Sequence, residues 1–583
     1  MSAWLAFTVS RATVRALIQD PLSPEHVMKP FPREPGYDLL TMADGAVGAM
    51  QGLLEDAAAK LRARVTVQGR IVGRLFDREQ RATHGLAWLA TYVEALRQLA
   101  SYADRMAATG HLGEVEELIV RIGFGEYLAQ IFGGIPMSQG EITRLADMGL
   151  TRSEVSARMT DFVEALIASG NTAQRRSRLV ELLRAQRDAN PGMSGYDDTA
   201  ESIRDEMHKF CVSEVAPRVQ RWHLASEYIS SDLIAHLAEL GLFGLTIPEE
   251  FGGMGLGKQA MCVATEELSR GYIGIGSLGI RSEIAADLIL NHGTEEQKRT
   301  WLPGIANGEV LPAVAFSEPN SGSDLASVST RATADDKFYR VQGTKTWVTY
   351  GDRTDLLLLL VRTDPRDMSH RGLSLLLAGK PRGDDDRPFS VPGLTGREVA
   401  AVGYRGLKQY ELAFDGFKVS VTGLLGGIEG LGFKQVMQSL ESARIQTAAR
   451  AIGVAQSALD QAAAHTSGRQ QFGMPIIAFP RIADKIAMMV TEITVARQLT
   501  YFAAREKDAG VRADAQTGMA KLLASRVAWA AADTSVQVHG ASGVAAESSI
   551  ARILADARVL GLTEGSSEIL AQMVARRLLE GGN

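Results

Sequence analysis

The run from Ala557 to Ile569 sets one carboxylate, Glu564, beside Gly565 in a tight turn between two helical patterns. A carboxylate placed there is open to a reacting molecule and has the chemistry of a general base. Glutamates flanking helices are common and usually solvated, so the turn acquires meaning from what accompanies it. Four other stretches concentrate donors, aromatics and glycines: 315–326 with Phe316, Ser317, Gly322 and Ser323, 343–349 with Trp347 and Thr349, 469–476 with Arg469, Gln471 and Phe472, and 537–543 with Gln537, Gly540 and Gly543. A glycine at 322 lets backbone approach a ligand closely, and the Ser323 hydroxyl is a donor suited to phosphate. The two cysteines, Cys211 and Cys262, show no CxxC or Cys/His spacing, which argues against a disulfide framework and a zinc site, and no metal is expected.

The elements that must position these residues follow from periodicity. The chain has 583 residues, 45% of them hydrophobic and 22% charged, enough for three or four domains with well-formed cores. From about 38 to 187 the pattern is helical, with long stretches at 46–64, 84–107 and 113–132 and no strand signal. Turn formers cluster at 189–196 and read as a linker. A second helical block runs from 199 to about 307, interrupted by a glycine-punctuated loop at 242–255. Between about 311 and 421 the period becomes that of strands, with short runs at 339–342, 346–349, 356–362, 373–377 and 410–414. After Gly432 the helical period returns, and Ile482, Ile486, Met489, Ile493 and Leu499 approximate one apolar face. The expected domains are therefore 1–190, 191–309, 310–425 and 426–583, in the order helical, helical, β, helical.

A formal charge of −6 offers no footprint for a phosphate backbone, so nucleic acid is not an expected partner. The longest aliphatic run, Leu356 to Val361, is too short to span a bilayer and reads as a buried strand. Arg11 and Arg15 precede the first acid, Asp20, in the manner of an organellar presequence. The stretch from Trp4 to Val9 has no basic residue before it and is too short for a signal core, so a frayed terminus and a cytoplasmic location are the expectation.

Taken in order, the stretches at 315–326, 343–349, 469–476 and 537–540, followed by Glu564, resemble the signatures of the acyl-CoA dehydrogenase family over about Gly195 to the end. That resemblance implies an α+β fold: a helical domain, a β-barrel-like middle domain and a C-terminal four-helix bundle, here with an additional helical N-terminal domain. It implies FAD as cofactor, an acyl-CoA substrate and electron-transferring flavoprotein as electron acceptor. Phe316, Ser317, Trp347 and Thr349 would meet the flavin ring, and Ser323 would serve both cofactor and substrate. Ser566 and Glu568 would also bind cofactor, while Gly565 and Arg444 would contact the acyl-CoA. For Arg444 the plain alternative is an exposed helix residue or a salt bridge. In the family, segments matching Arg469, Gln471, Phe472 and Gln537 to Gly543 reach the flavin of a neighbouring subunit, which implies a homodimer or homotetramer. Four residues depart from the pattern: Ser317 stands where Thr is usual, Thr563 where an aromatic is commoner, and Ala541 and Ser542 replace the Gly-Asn of the family's Gly-Gly-Asn-Gly. Ala443 occupies the position at which some relatives carry the base, and a methyl group cannot accept a proton.

The implied reaction is α,β-dehydrogenation, with Glu564 taking the α-proton of the thioester and a hydride passing from the β-carbon to flavin N5. A helix N-terminus after Glu564 favours its charged form, whereas enclosure beneath bound substrate favours the neutral one; burial is expected to dominate once substrate binds. The stretches 84–94, 275–285 and 441–450 are similar to a subgroup that oxidises methylsuccinyl-CoA to mesaconyl-CoA, in the ethylmalonyl-CoA route of acetate assimilation. A substrate with a distal carboxylate needs a cation in its pocket, and Arg281 would supply it; the alternative is a structural Arg281–Glu283 pair. Another short or branched acyl-CoA, oxidase behaviour with dioxygen as acceptor, and a non-catalytic binding protein of the same fold are the competing readings. The 1–190 block would cover the core, set assembly or restrict the substrate entrance.

Overall fold

The computed structural model describes residues 38–185 and 195–581; the stretches read for targeting and, for the most part, as the linker lie outside them. Helix α1 (Leu39–Val65) starts where the Asp38 carboxylate accepts the Thr41 amide at 2.9 Å, closing one of the free N–H groups of the first turn. Helices α2 (Gln80–Ala108) and α3 (Glu114–Gly133) follow, and all three bury long apolar faces against one another. The expectation of no strand in this block is corrected: Thr66–Val67 pairs with Arg70–Ile71, and Ile135–Pro136 with Ile142–Thr143. The first is a hairpin whose two turn residues, Gln68 and Gly69, both have positive φ (51° and 74°). That is the geometry a two-residue hairpin turn demands, reached here without the Asn-Gly pair that would have announced it.

A second helical layer comprises α4 (Asp198–Phe210), α5 (Lys258–Gly271) and α6 (Leu278–His292), and leads into the sheet. Its strands are β1 (Pro312–Ala315), β2 (Arg331–Ala334), β3 (Phe338–Thr349), β4 (Leu356–Arg362), β5 (Leu373–Gly379), β6 (Leu394–Val399) and β7 (Gln409–Ser420). They form one seven-stranded mixed sheet in the order β6-β7-β3-β2-β4-β1, with β5 added on β4. Every residue of β4 is buried. Leu356, Leu358 and Leu360 pack toward Ile284, Leu302 and Val436, whereas Leu357, Leu359 and Val361 pack with Val341, Phe414 and Phe417. A strand covered on both faces reads as a continuous apolar run, which is why its sequence shows no alternation.

The C-terminal bundle is built from α7 (Gly432–Gly468), α8 (Pro480–Asp508), α9 (Asp514–His539), α10 (Ser549–Leu560) and α11 (Ser567–Glu580). Helix α7 lies close to α5 at Gly453, where any Cβ would run into the Glu266 carbonyl. The N-terminal helices share a continuous core with this bundle: α2 packs on α8, α9 and α11, and α3 on α8. Arg62 of α1 donates to the carbonyls of Leu578 and Leu579 at the end of α11 (2.9 and 3.0 Å). Among the described residues no helix is long and apolar enough to cross a membrane, and no three His, Cys, Asp or Glu side chains group as metal ligands.

Candidate active site

Glu564 sits between α10 and α11 with φ 49°, followed by Gly565 at φ 101°. A side chain at 565 would be strained there and would press on Leu570, so the turn requires glycine. The Glu564 carboxylate points inward onto α7, where Oε2 accepts from Thr447 Oγ1 and Arg450 Nη2, both at 3.1 Å. Arg450 is 2% exposed and also donates to Ser277 Oγ (3.0 Å) and Thr447 Oγ1 (2.7 Å), while its Nε is buried without a partner. Beneath the turn, Lys521 of α9 is fully buried and donates to the Gly565 carbonyl at 2.6 Å. Thr563, the departure noted above, has its hydroxyl buried without a hydrogen-bond partner.

Arg281, on α6, is buried in the same region. Glu283 does not pair with it, because Glu283 is taken by Lys258 and Thr246. The structural ion pair considered for Arg281 is thus absent. Its guanidinium lies over the Tyr350 ring at 5.6 Å, and its Nη1 has no hydrogen-bond partner. Burial, and then the neighbouring Arg450, weigh against its charge, opposed by Tyr404 and Tyr350. A buried guanidinium without a carboxylate partner is costly, and Arg450, which has Glu564, adds to that cost at Arg281. Tyr404 is itself held in a left-handed conformation (φ 59°), with its amide donating to the buried Asp556 carboxylate at 2.7 Å. Burial pushes the Asp556 carboxyl up to about 6.

Around Trp347 the sheet is irregular. Tyr410 faces Val348 and Leu412 faces Lys345, so Thr346 and Trp347 bulge against a single residue of β7. Trp347 has φ 58° and its side chain is 58% exposed, an unusual amount of bare indole on a strand interior. The 315–318 segment is fixed beside it: Thr346 N donates to the Ser317 carbonyl (2.9 Å), and the buried Lys345 Nζ donates to the Phe316 carbonyl and to Glu318 Oε1 (both 2.9 Å). Glu318 also accepts from the Ser329 amide and hydroxyl and the Thr330 amide. Burial pushes its carboxyl up, but Lys345 and these donors outweigh it and hold it down at about 2. Burial alone has fewer opponents at Lys345, which is lowered to about 8. Thr349 donates to Gln409 at 2.9 Å. Among the described residues, five of the eight non-glycine positions with positive φ, Trp347, Tyr350, Tyr404, Phe472 and Glu564, are candidate site residues or lie beside them, and backbone strain of this kind persists where surroundings over-determine it.

The structure thus joins Phe316, Ser317, Trp347 and Thr349 on the sheet, and Glu564, Gly565 and Arg281 in the helical pocket, with Tyr350 directly after Thr349 linking the two through Arg281. Ser323 is exposed beside Gly322, which has open space around it. Ser566 stands at the N-terminal boundary of α11 without a side-chain capping bond, and Glu568 is exposed in its first turn. Arg444 is neither exposed nor in a salt bridge: it is 6% exposed, with Nη1 3.2 Å from Met573 Sδ and Nε unpartnered. Arg469, Gln471, Phe472, Gln537 and Gly540 are all exposed, and Gly543 is buried. His465 stacks on His539 at 4.1 Å, which brings the ends of α7 and α9 together. Among the described residues no hydrogen bond ties these to the Trp347 group. Sequence reasoning missed Ser277, Thr447 and Arg450. The last two follow Arg444 at intervals of three along one helix face, a polar stripe inside an alanine-rich run.

Three family models match the chain: acyl-CoA dehydrogenase N-terminal domain over residues 197–309, middle domain over 313–417 and C-terminal domain over 430–579. The chain is 54% identical over 544 residues to a (2S)-methylsuccinyl-CoA dehydrogenase of Cereibacter sphaeroides, covering 93% of this chain and 98% of the relative. The butyryl-CoA dehydrogenase of Megasphaera elsdenii superposes with a TM-score of 0.62 at 30% identity, over 65% of this chain and 97% of that one. A glutaryl-CoA dehydrogenase of Mycobacterium smegmatis, in complex with FADH2, superposes with a TM-score of 0.60 at 26% identity, over 67% and 96%.

Proposed function

The chain belongs to the acyl-CoA dehydrogenase family, and from that premise we propose that this FAD-dependent dehydrogenase oxidises (2S)-methylsuccinyl-CoA to mesaconyl-CoA with Glu564 as the α-proton base. The observation that carries the reading is a pocket in which the Glu564 carboxylate meets buried Arg450, with a second buried arginine, Arg281, close enough to Arg450 to feel its charge and unpartnered at Nη1. A fatty-acyl chain would leave that guanidinium unpaired, whereas a distal carboxylate satisfies it.

The residues present fit FAD. The bare Trp347 indole offers an apolar wall, Ser317 a hydroxyl, and Gly322 and Gly540 open backbone where nothing lies within 4 Å of an added Cβ. When bound, FAD supplies the two-electron acceptor that receives the β-hydride at N5. Phe316, Ser317, Trp347 and Thr349 hold the ring, and Ser323, Ser566 and Glu568 serve the rest of the cofactor. Arg469, Gln471, Phe472, Gln537 and Gly540, exposed at one end of the bundle, with the buried Gly543 beside them, reach the cofactor of a second subunit, so the working form is a homodimer or homotetramer. Arg444 and Gly565 contact the acyl-CoA, and electron-transferring flavoprotein takes the electrons onward.

Glu564 then acts as a carboxylate whose proton-accepting oxygen is oriented before substrate arrives. Thr447 and Arg450 hold Oε2, leaving Oε1 for the α-proton. Arg281 holds the distal carboxylate, which fixes the α-carbon relative to that oxygen. Closure of the pocket over the thioester removes water from the carboxylate and strengthens these contacts.

A panel of acyl-CoA thioesters added anaerobically to the purified holoenzyme, followed by flavin absorbance, tests the reading. Methylsuccinyl-CoA is expected to bleach the flavin fastest. Glu564→Gln should retain bound flavin and lose bleaching by at least about 1,000-fold, in the range for removing an essential base. Bleaching by Glu564→Gln at an undiminished rate, or preference for an unbranched fatty acyl-CoA, would refute it.

A further inference from the structure

Lys521 is a buried charge beside the base that the proton transfer above does not use. Its side chain is fully buried in α9, and among the described residues no carboxylate lies within ion-pair distance of it. Its recorded bond runs from Nζ to the Gly565 carbonyl at 2.6 Å. Arg444 and Arg450 face it from α7, and Glu564 and Glu568 from the turn and the start of α11. Burial pushes the ammonium down to about 7, with Glu564 opposing that shift and Arg444 adding to it. A leucine or methionine would fill the same volume without the desolvation cost, so stability alone does not account for a lysine here.

Its bonding partner does. Glu564 and Gly565 are consecutive left-handed residues, and the glutamate pays strain to be there. Without a fixed carbonyl at 565, that peptide is free to rotate, and the base with it. We propose that Lys521 is a positioning residue for the base: its ammonium fixes the left-handed Glu564–Gly565 turn through the Gly565 carbonyl and lends positive charge to the ionised carboxylate beside it. The turn is then held from two sides, the backbone by Lys521 and the side chain by Thr447 and Arg450. This rests on Glu564 being the base.

The test compares Lys521→Met, Lys521→Gln and Lys521→Arg in the full-length FAD-loaded enzyme, with methylsuccinyl-CoA as substrate. For Lys521→Met, kcat is expected to fall by about 30- to 100-fold with KM within about threefold, as for a misplaced catalytic group. The acid limb of the kcat profile should move to higher pH because a positive charge has left the neighbourhood of the carboxylate. The melting temperature should hold or rise, since an apolar side chain replaces a buried charge; a merely structural lysine would instead lower stability and activity together. Lys521→Arg should recover at least about tenfold of the lost kcat. Lys521→Gln, which keeps a donor but no charge, should retain more kcat than Met yet show the same displaced acid limb, and it carries the test should the Met variant not accumulate. An unchanged kcat and pH profile in Met or Gln, or losses that only track melting temperature and bound flavin, would overturn the proposal. Glu564→Gln in parallel separates the premises: if it still bleaches, the base assignment fails; if it is inactive while the lysine variants are normal, the lysine assignment alone fails.

Discussion

At the residue scale, the pocket is defined by what its cations lack. Arg281 is buried with an unpartnered Nη1 and no carboxylate partner among the described residues, whereas Arg450, though its Nε is unpartnered, pairs with Glu564 and also bonds Ser277 and Thr447. Arg281→Ala should therefore discriminate between substrates: turnover of methylsuccinyl-CoA should drop at least about 30-fold relative to a neutral branched acyl-CoA, the equivalent of about 2 kcal/mol for stranding a buried carboxylate. Equal losses on both, read as kcat/KM, would remove Arg281 from substrate recognition. Glu564 was legible in the sequence because a glutamate before glycine closes an ordered series of stretches. Arg450 was not, because helical periodicity in an alanine-rich run assigns its neighbours to the core and says nothing about a polar atom meeting a turn 114 residues away. Arg281 was singled out correctly as a residue, but the pairing with Glu283 that competed for it could be dismissed only when Lys258 and Thr246 were seen to occupy that carboxylate.

At the scale of elements, the bulge in β3 and the loop before it form one unit, clamped by Lys345 and Glu318. Sequence reading split β3 into two runs, 339–342 and 346–349, at Gly343; the structure shows one strand running through that glycine to the bulge at Trp347. Strands β2 and β6 went unmarked because each buries a single residue, leaving no alternation to read, and β1 is only the four residues Pro312–Ala315. The clamp gives a pH dependence with a definite sign. Glu318 is depressed from 4.5 to about 2, so its contribution is fully present above 4.5 and is lost as pH falls from there through about 2. Denaturant melts across that window should show wild type losing stability that Glu318→Gln, already without the pair, does not lose. Lys345→Met, which strands a buried carboxylate, should cost about 3 kcal/mol at neutral pH and reduce FAD retention, because the Phe316–Ser317 segment loses its anchor. A normal FAD content in that variant would detach the clamp from cofactor binding.

At the scale of the whole molecule, the N-terminal helices are part of the core and not an appendage. Arg526 of α9 donates to Tyr92 of α2 (2.5 Å) and to the Pro136 carbonyl (3.1 Å), and pairs with Glu492 of α8 (3.3 Å) while lying over the Trp88 and Tyr92 rings. Of the three roles considered for this block, covering the core is the one the packing displays. It was illegible beforehand because the contacting residues lie 434 positions apart and each reads locally as an ordinary amphipathic helix. Arg526→Met should destabilise by about 2 kcal/mol, between the values for exposed and fully buried pairs, and a variant lacking residues 1–190 should expose the apolar faces of α8 and α9 and aggregate. A monodisperse truncated protein with an unshifted melting temperature would contradict this. The contact of Arg62 with the last turn of α11 then bears on the order of synthesis. Helices α1 and α2 are translated well before the surfaces of α8, α9 and α11 on which they pack and before the turn that carries Glu564. The faces that the early helices turn to α8, α9 and α11 must wait uncovered, a period in which a chaperone has most to offer, and the base is set in place in the same event that finally covers them.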